Sequence, residues 1–236
     1  MKDQQLSHFI GKHTLGILGC YAQQTPDQTL DVYICGVEVI SDQLLKLFFP
    51  KGHQLTFNQL VTLHLDNRSG VSEYDAELKV YRLSFKGVVS RTDPHHAIIE
   101  AREYQTFYGM GIEKEYVAQG YQYPTDLRDM SPLPITPLNE LPEIDDDEHD
   151  NKIGVLLSHA LQQPHTTVMA FLSTKEDDIF FITFKGTFKS KLLRRDNRCH
   201  FAIDSRATFT FEHAIEWNYS IIQGEVLSNP ETTYNV

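Results

Sequence analysis

Cysteine, tryptophan and positive charge are all in short supply in this 236-residue chain. Three cysteines (Cys20, Cys35 and Cys199) are odd in number, scattered, and form no Cys-x-x-Cys pair. That argues against a disulfide framework or a zinc knuckle and for reduced thiols in a cytoplasmic protein, each serving as core filler rather than as a nucleophile. Against 21 Lys and Arg stand 32 Asp and Glu, a formal net charge of −11. Such a surface repels phosphate backbones, so nucleic acid is not expected as a partner. No apolar run approaches the about 20 residues of a membrane-spanning helix, and no signal-type apolar core follows Met1-Lys2-Asp3-Gln4-Gln5, so no membrane association or export is expected. There is also no Gly-x-Gly-x-x-Gly to hold a dinucleotide.

What is present fits an ordinary globular protein: 41% hydrophobic and 22% charged residues. The length suits two small domains. Residues 1–120 read mostly as strands. Leu30–Ile40 partly alternates, and Gln54–Leu65 places Leu55, Phe57, Val61, Leu63 and Leu65 on one face. Ala76–Ser90 is the longest candidate strand, with Val80, Arg82 and Ser84 on one face and Tyr81, Leu83 and Phe85 on the other. Ala97–Arg102 follows the turn at Asp93-Pro94. Ser41–Phe49 reads as a short amphipathic helix capped by Ser41 and stopped by Pro50. The expected fold is mainly β with few helices, its N-terminal part a small barrel or sandwich used for partner contact. His95 and His96, adjacent on an extended chain, point apart and are expected in a loop rather than on one metal ion.

Pro124, Pro132, Pro134, Pro137 and Pro142 exclude regular structure over residues 121–151. The acidic run Glu143–Asp150 that follows must be solvated, and it lacks the glycine and spacing of a calcium loop. An extended, flexible joint to a C-terminal domain over 152–236 is expected.

That domain carries a local reversal of sign. Thr183 to Arg198 contains Lys185, Lys189, Lys191, Arg194, Arg195 and Arg198. Hydroxyls at Thr183 and Thr187 with ammonium groups at Lys189 and Lys191 suit a phosphate, and a helix over Phe188–Arg195 would add free N–H groups beside Thr187. The competing reading of the same residues is a solvated helix face.

The order of elements here resembles the FMN-binding split barrel of the pyridoxamine 5′-phosphate oxidase family. Ile182-Thr183-Phe184-Lys185-Gly186-Thr187-Phe188-Lys189 is followed by Leu193, Asp196-Asn197 and the strand Cys199–Ile203. Upstream, Ile153–His159 and Thr166–Leu172 resemble the first two strands, and Lys175–Asp178 the hairpin into the third. Downstream, Tyr219–Val226 resembles the glycine-bearing strand. The likeness covers about a third of the chain, residues 152–228.

The resemblance implies an FMN-dependent oxidoreductase, a homodimer with the cofactor at its interface. Thr183, Thr187 and Lys189 would hold the phosphate, with help from Lys191 or Lys185. Ile182 would contribute backbone, and Thr167, Val168 and Met169 would lie along the flavin ring. Tyr219, and with it Trp217, would contact the ring from the glycine-bearing strand. Phe188 replaces an Arg of the oxidases, and the family's last helix and strands do not follow before Val236, which speaks against the pyridoxine-pathway reaction itself. Some split-barrel relatives bind haem, for which His159, His165, His200 and His213 are candidate ligands. A non-catalytic binding or regulatory module is the alternative. Asp66-Asn67-Arg68-Ser69-Gly70 bears a faint likeness to the loop of cyclic-dinucleotide-binding PilZ barrels. Its spacing departs from that pattern, and its residue types suit a polar hairpin turn.

Overall fold

A computed structural model describes residues 4–23, 28–68, 80–137, 153–173, 178–204 and 219–229. Ser69 and Gly70, residues 76–79, the acidic run 143–150, Lys175–Asp177, His213 and Trp217 lie outside the described residues. The fold is mainly β, as expected.

Strands β1 (His13–Tyr21), β2 (Leu30–Ser41), β3 (Leu44–Phe48), β4 (Leu60–Asp66), β5 (Tyr81–Thr92), β6 (His96–Tyr108) and β7 (Gly111–Val117) form one antiparallel sheet in the order β3-β2-β1-β4-β5-β6-β7. Pairing of β3 with β6, from Leu44 opposite Glu100 to Phe48 opposite His96, closes the first six strands of that sheet order into a barrel and leaves β7 outside the ring. Closure removes the open edges that a free sheet would present. Val61, Leu63, Leu65, Leu83, Phe85, Leu45 and Leu47 point inward and are fully buried. A five-residue helix, α1 (Leu6–Ile10), plugs one end with Leu6, Phe9 and Ile10, and Asp42 accepts from the Leu6 amide at 2.6 Å. Where β5 turns the barrel corner the register slips at Gly87, whose Cβ position lies 2.8 Å from the Glu100 carbonyl oxygen, so only glycine fits.

Two strand expectations need correction. Ser41–Phe49 is not a helix: its Leu45 and Leu47 alternate with exposed neighbours, and β3 gains two hydrogen-bonded partners that a helix would forgo. The strand expected over Gln54–Leu65 begins only at Leu60, which leaves Phe57 64% exposed and off the shared face. The polar turn expected over Asp66–Gly70 is described only as far as Arg68, where Asp66 and Arg68 are buried and Asn67 is exposed. Of the two histidines expected in a loop, His95 lies in the turn and His96 opens β6 opposite Phe48, and the Asp93 carboxylate accepts from both their amides at 2.9 Å.

The C-terminal part contains β8 (Ile153–Ser158), β9 (His165–Ala170), β10 (Leu172–Ser173), β11 (Ile179–Phe180), α2 (Phe188–Leu193), β12 (Arg198–Asp204) and β13 (Tyr219–Glu225). Four of these strands form an antiparallel sheet in the order β13-β12-β8-β9, and β10 and β11 form a separate hairpin. One face of the larger sheet packs on α2 and the hairpin through Leu156, Met169, Phe171, Leu193 and Phe201. The other face packs on the barrel through Ile17, Leu30, Val155, Leu157 and Ala202. The two parts therefore share a core rather than hang on a joint.

The proline-rich segment is extended, as the prolines require, yet it is pinned. Arg195 donates from Nε to the Arg128 carbonyl at 2.9 Å and from Nη2 to the Asp126 carbonyl at 3.0 Å. Ser131 N donates to the Arg194 carbonyl, and Ile135 forms a parallel bridge with Ser228. Residues 121–137 form a strap across the C-terminal part, so the expectation of a flexible joint fails there.

Candidate functional site

The loop between β11 and α2 brings the two expected hydroxyls together. Thr183 Oγ1 and Thr187 Oγ1 lie 3.4 Å apart. Thr187 is the N-cap of α2, its hydroxyl accepting from Ser190 N at 3.3 Å, as threonine does at this position. The same hydroxyl donates to the Phe184 carbonyl at 3.1 Å. Gly186 sits between them at φ +90°, a left-handed conformation that suits glycine. The helix ends at Leu193, two residues short of the expected end, with Arg194 as C-cap. A helix of this length has little dipole to offer an anion, so attraction must come from side chains.

Lys189 lies one residue inside α2 and is partly buried. Among the described residues no carboxylate lies within ion-pairing range of it. Burial, and after it the positive charge of Arg82, lowers the pKa of its ammonium. Lys191 and Lys185, by contrast, are exposed. The rest of the basic run serves structure: Arg195 anchors the strap, and Arg198 pairs with Asp196 at 2.7 Å.

Two elements distant in the chain reach α2 through a series of ring contacts. On β5, Arg82 and Lys86 point away from the buried Leu83 and Phe85, out of the barrel. The Lys86 ammonium lies 4.2 Å from the centre of the Tyr123 ring and pairs with Glu103 at 2.5 Å. The Tyr123 ring meets Phe188 edge-on with centroids 6.1 Å apart, and Phe188 meets His165 edge-on at 4.8 Å. Barrel, strap, α2 and β9 thus meet in one chain of contacts. His165 Nδ1 is buried without a partner. Burial, followed by the charges of Lys86, Lys189 and His64, holds the imidazole pKa down to about 3, so the ring is neutral at pH 7.

Of the residues expected along a flavin ring, Val168 and Met169 are buried and Thr167 is partly buried, all on β9. β9 is an edge strand among the described residues, with hydrogen-bonding groups on its outer side. Ile182 stands 84% exposed beside the loop. Tyr219 is not brought to this corner. It begins β13 at the opposite edge of the sheet, two strands removed from β9, where Lys51 lies 5.4 Å from its ring centre.

Of the histidines weighed as haem ligands, His159 and His200 are enclosed by protein. His159 stacks on Tyr21 at 5.7 Å, and burial lowers its pKa despite Asp196. His200 is buried, and its pKa is lowered in the same way. Among the described residues no group of three or more His, Cys, Asp or Glu could hold a metal ion, and no helix is long and apolar enough to cross a membrane. All three thiols are buried, with Cys20 pushed up to about 12 and Cys199 to about 11, so none is a ready nucleophile. Compared with family models, curated proteins and solved structures, the chain matches none of them.

Proposed function

We propose that the C-terminal sheet is the core of a split barrel that binds FMN and acts as an oxidoreductase. The observation that carries this reading is Lys189: a partly buried residue without a carboxylate partner among the described residues, two positions after Thr187, whose hydroxyl lies 3.4 Å from that of Thr183. An unpaired charge that is half removed from water is costly, and a dianionic phosphate would offset that cost. The hydroxyls supply directional donors and Lys189 supplies charge. The outer edge of β9 offers backbone N–H and C=O groups to a polar ring system lying beside Thr167–Met169.

When bound, the flavin would supply the electron transfer, and the chain would bind, orient and shield it. Phe188 and the exposed Ile182 would exclude water from the corner. Ile182, Phe184 and Leu172, exposed by 84%, 79% and 44%, fit burial against a second copy of the chain, which would also bring a second β13 and its Tyr219 towards the site. Free thiols at all three cysteines agree with a cytoplasmic setting.

The test is an absorption spectrum of the purified protein followed by titration with FMN. Flavin bands or saturable quenching of FMN fluorescence are expected; a colourless protein that leaves FMN fluorescence unchanged refutes the reading. A binding module without turnover is the second reading, favoured by the Thr187 hydroxyl already donating to Phe184. Bound FMN that neither a reduced nicotinamide cofactor nor dithionite reduces would select it.

A further inference from the structure

The α2-facing side of the C-terminal sheet is unevenly covered. Antiparallel register sets Phe201 of β12 opposite Ile222 of β13, and Cys199 opposite Gly224, so these four residues share that face. The Phe201 ring leans away from β13 and over β8, where a Cβ on Gly154 would lie 2.3 Å from it. At Gly224, by contrast, a Cβ would meet no described atom within 4 Å. The result is a cavity of about 260 Å³ over the β12–β13 half of the sheet. Those four residues line it from below, and Phe180 of β11, Phe181 and Leu227 line its sides. Ile222 and Leu227 are 41% and 42% exposed, so apolar surface is turned into a concavity. Phe181 lies parallel to Phe201 with ring centroids 6.4 Å apart. The Cys199 thiol, pushed up to about 11 by burial, is uncharged at pH 7. Both charged residues of the lining, Asp178 and Glu225, are acidic.

We propose that this cavity binds a small uncharged aromatic molecule of one or two rings. An apolar cavity of about 150 Å³ already takes benzene, so the volume here admits a somewhat larger ring system. Phenylalanine walls favour a flat aromatic guest, because offset and edge-on ring contacts add to what area burial supplies. An aromatic acid is disfavoured twice: it would meet the carboxylates of Asp178 and Glu225, and its charge would leave water for an apolar floor. The site is separate from the proposed flavin position along β9, which lies on the far side of β8 from β12. The two readings therefore stand or fall independently.

The full-length protein would be titrated calorimetrically with indole and with indole-3-acetate, and NOEs from indole to assigned methyl groups would locate the bound ring. Saturable indole binding with NOEs to Ile222 and Leu227 is expected, with indole-3-acetate about tenfold weaker or more. Gly224→Leu, whose new side chain enters the cavity, should melt no lower than the parent and bind indole about tenfold more weakly. Should that variant fail to fold, the NOEs decide alone. The proposal is overturned by absence of saturable binding, by NOEs confined to other methyl groups, or by equal affinity for the acetate. A folded Gly224→Leu protein that binds indole as the parent does overturns it as well. Saturating FMN should leave indole affinity unchanged, and displacement of indole by FMN would place it in the flavin site and overturn the proposal. Failure of FMN to bind, with indole still bound beside Ile222 and Leu227, overturns the flavin reading alone.

Discussion

Arg68 Nη2 and Asp204 Oδ2 lie 3.6 Å apart, one past the end of β4 and the other at the end of β12, with each side chain only 4% exposed. Arg68 also donates from Nη1 to the Ile153 carbonyl at 2.9 Å and from Nε to Asp66 at 3.0 Å. A single guanidinium therefore joins barrel and C-terminal sheet. The segment likened to a nucleotide-binding loop is instead a strut.

Removing that guanidinium takes a buried cation away from Asp66 and Asp204. Arg68→Met should destabilise the protein by about 3–5 kcal/mol, the usual cost of breaking a buried pair on one side. Asp204→Asn, which preserves shape, should cost less. Urea denaturation checks both; equal and negligible losses would show that the strut carries no energy.

Gly19 marks how closely the two parts approach. A Cβ there would lie 2.6 Å from Leu157 Cδ2 and 2.9 Å from Pro164 Cγ, both on the C-terminal side of the interface. Gly19→Val should therefore force the sheets apart at a cost of about 1–3 kcal/mol. Hydrogen exchange should rise along β1 and β8 together, whereas a local effect would confine the rise to β1.

His165 gives the protein a pH dependence with a definite sign. Its folded-state pKa, about 3, lies below the ordinary value of 6.5 for a free imidazole, so the unfolded chain binds the proton more readily. Stability is full above pH 6.5 and declines as pH falls towards 3, by at most about 1.4 kcal/mol per pH unit for this one group. His159 and His200, lowered for the same reason, add to the slope in the same direction. Denaturation midpoints between pH 7 and 4 should fall in the parent and fall less in His165→Phe. Parallel slopes in the two proteins would refute the assignment.

Thr187 has two separable roles, cap and ligand. Thr187→Ala should cost about 1 kcal/mol through loss of the bond to Ser190 N, and should weaken FMN binding as well. Thr187→Asp keeps a good capping oxygen but sets a carboxylate against the phosphate. It should melt near the parent temperature and bind FMN far more weakly. An aspartate variant that binds FMN normally would remove Thr187 from the site.

How much of this could be read from the chain depends on the range over which each feature is decided. Alternation along Leu83 and Phe85 already separates an inner face from the outward Arg82, Ser84 and Lys86. The strands 153–158, 165–170 and 219–225 are expected only through the family resemblance. Local sterics and periodicity suffice for the strand 198–204 and for the short helix capped by Thr187. They did not suffice for Leu44–Phe48, where apolar spacing fits a helix as well as a strand and ring closure with β6 decides.

The amino-acid order by itself determined a β-rich protein, an extended proline segment and a cluster of cations near Thr187, since backbone preference and charge are local properties. Tertiary structure alone decided that Arg194, Arg195 and Arg198 are spent on strap and turn, that Tyr219 lies at the far edge, and that Lys86 of the barrel meets Tyr123 of the strap beside Phe188. The reason is that strand order and face-to-face packing join residues a hundred positions apart. Such distant neighbours leave no periodicity in the chain between them.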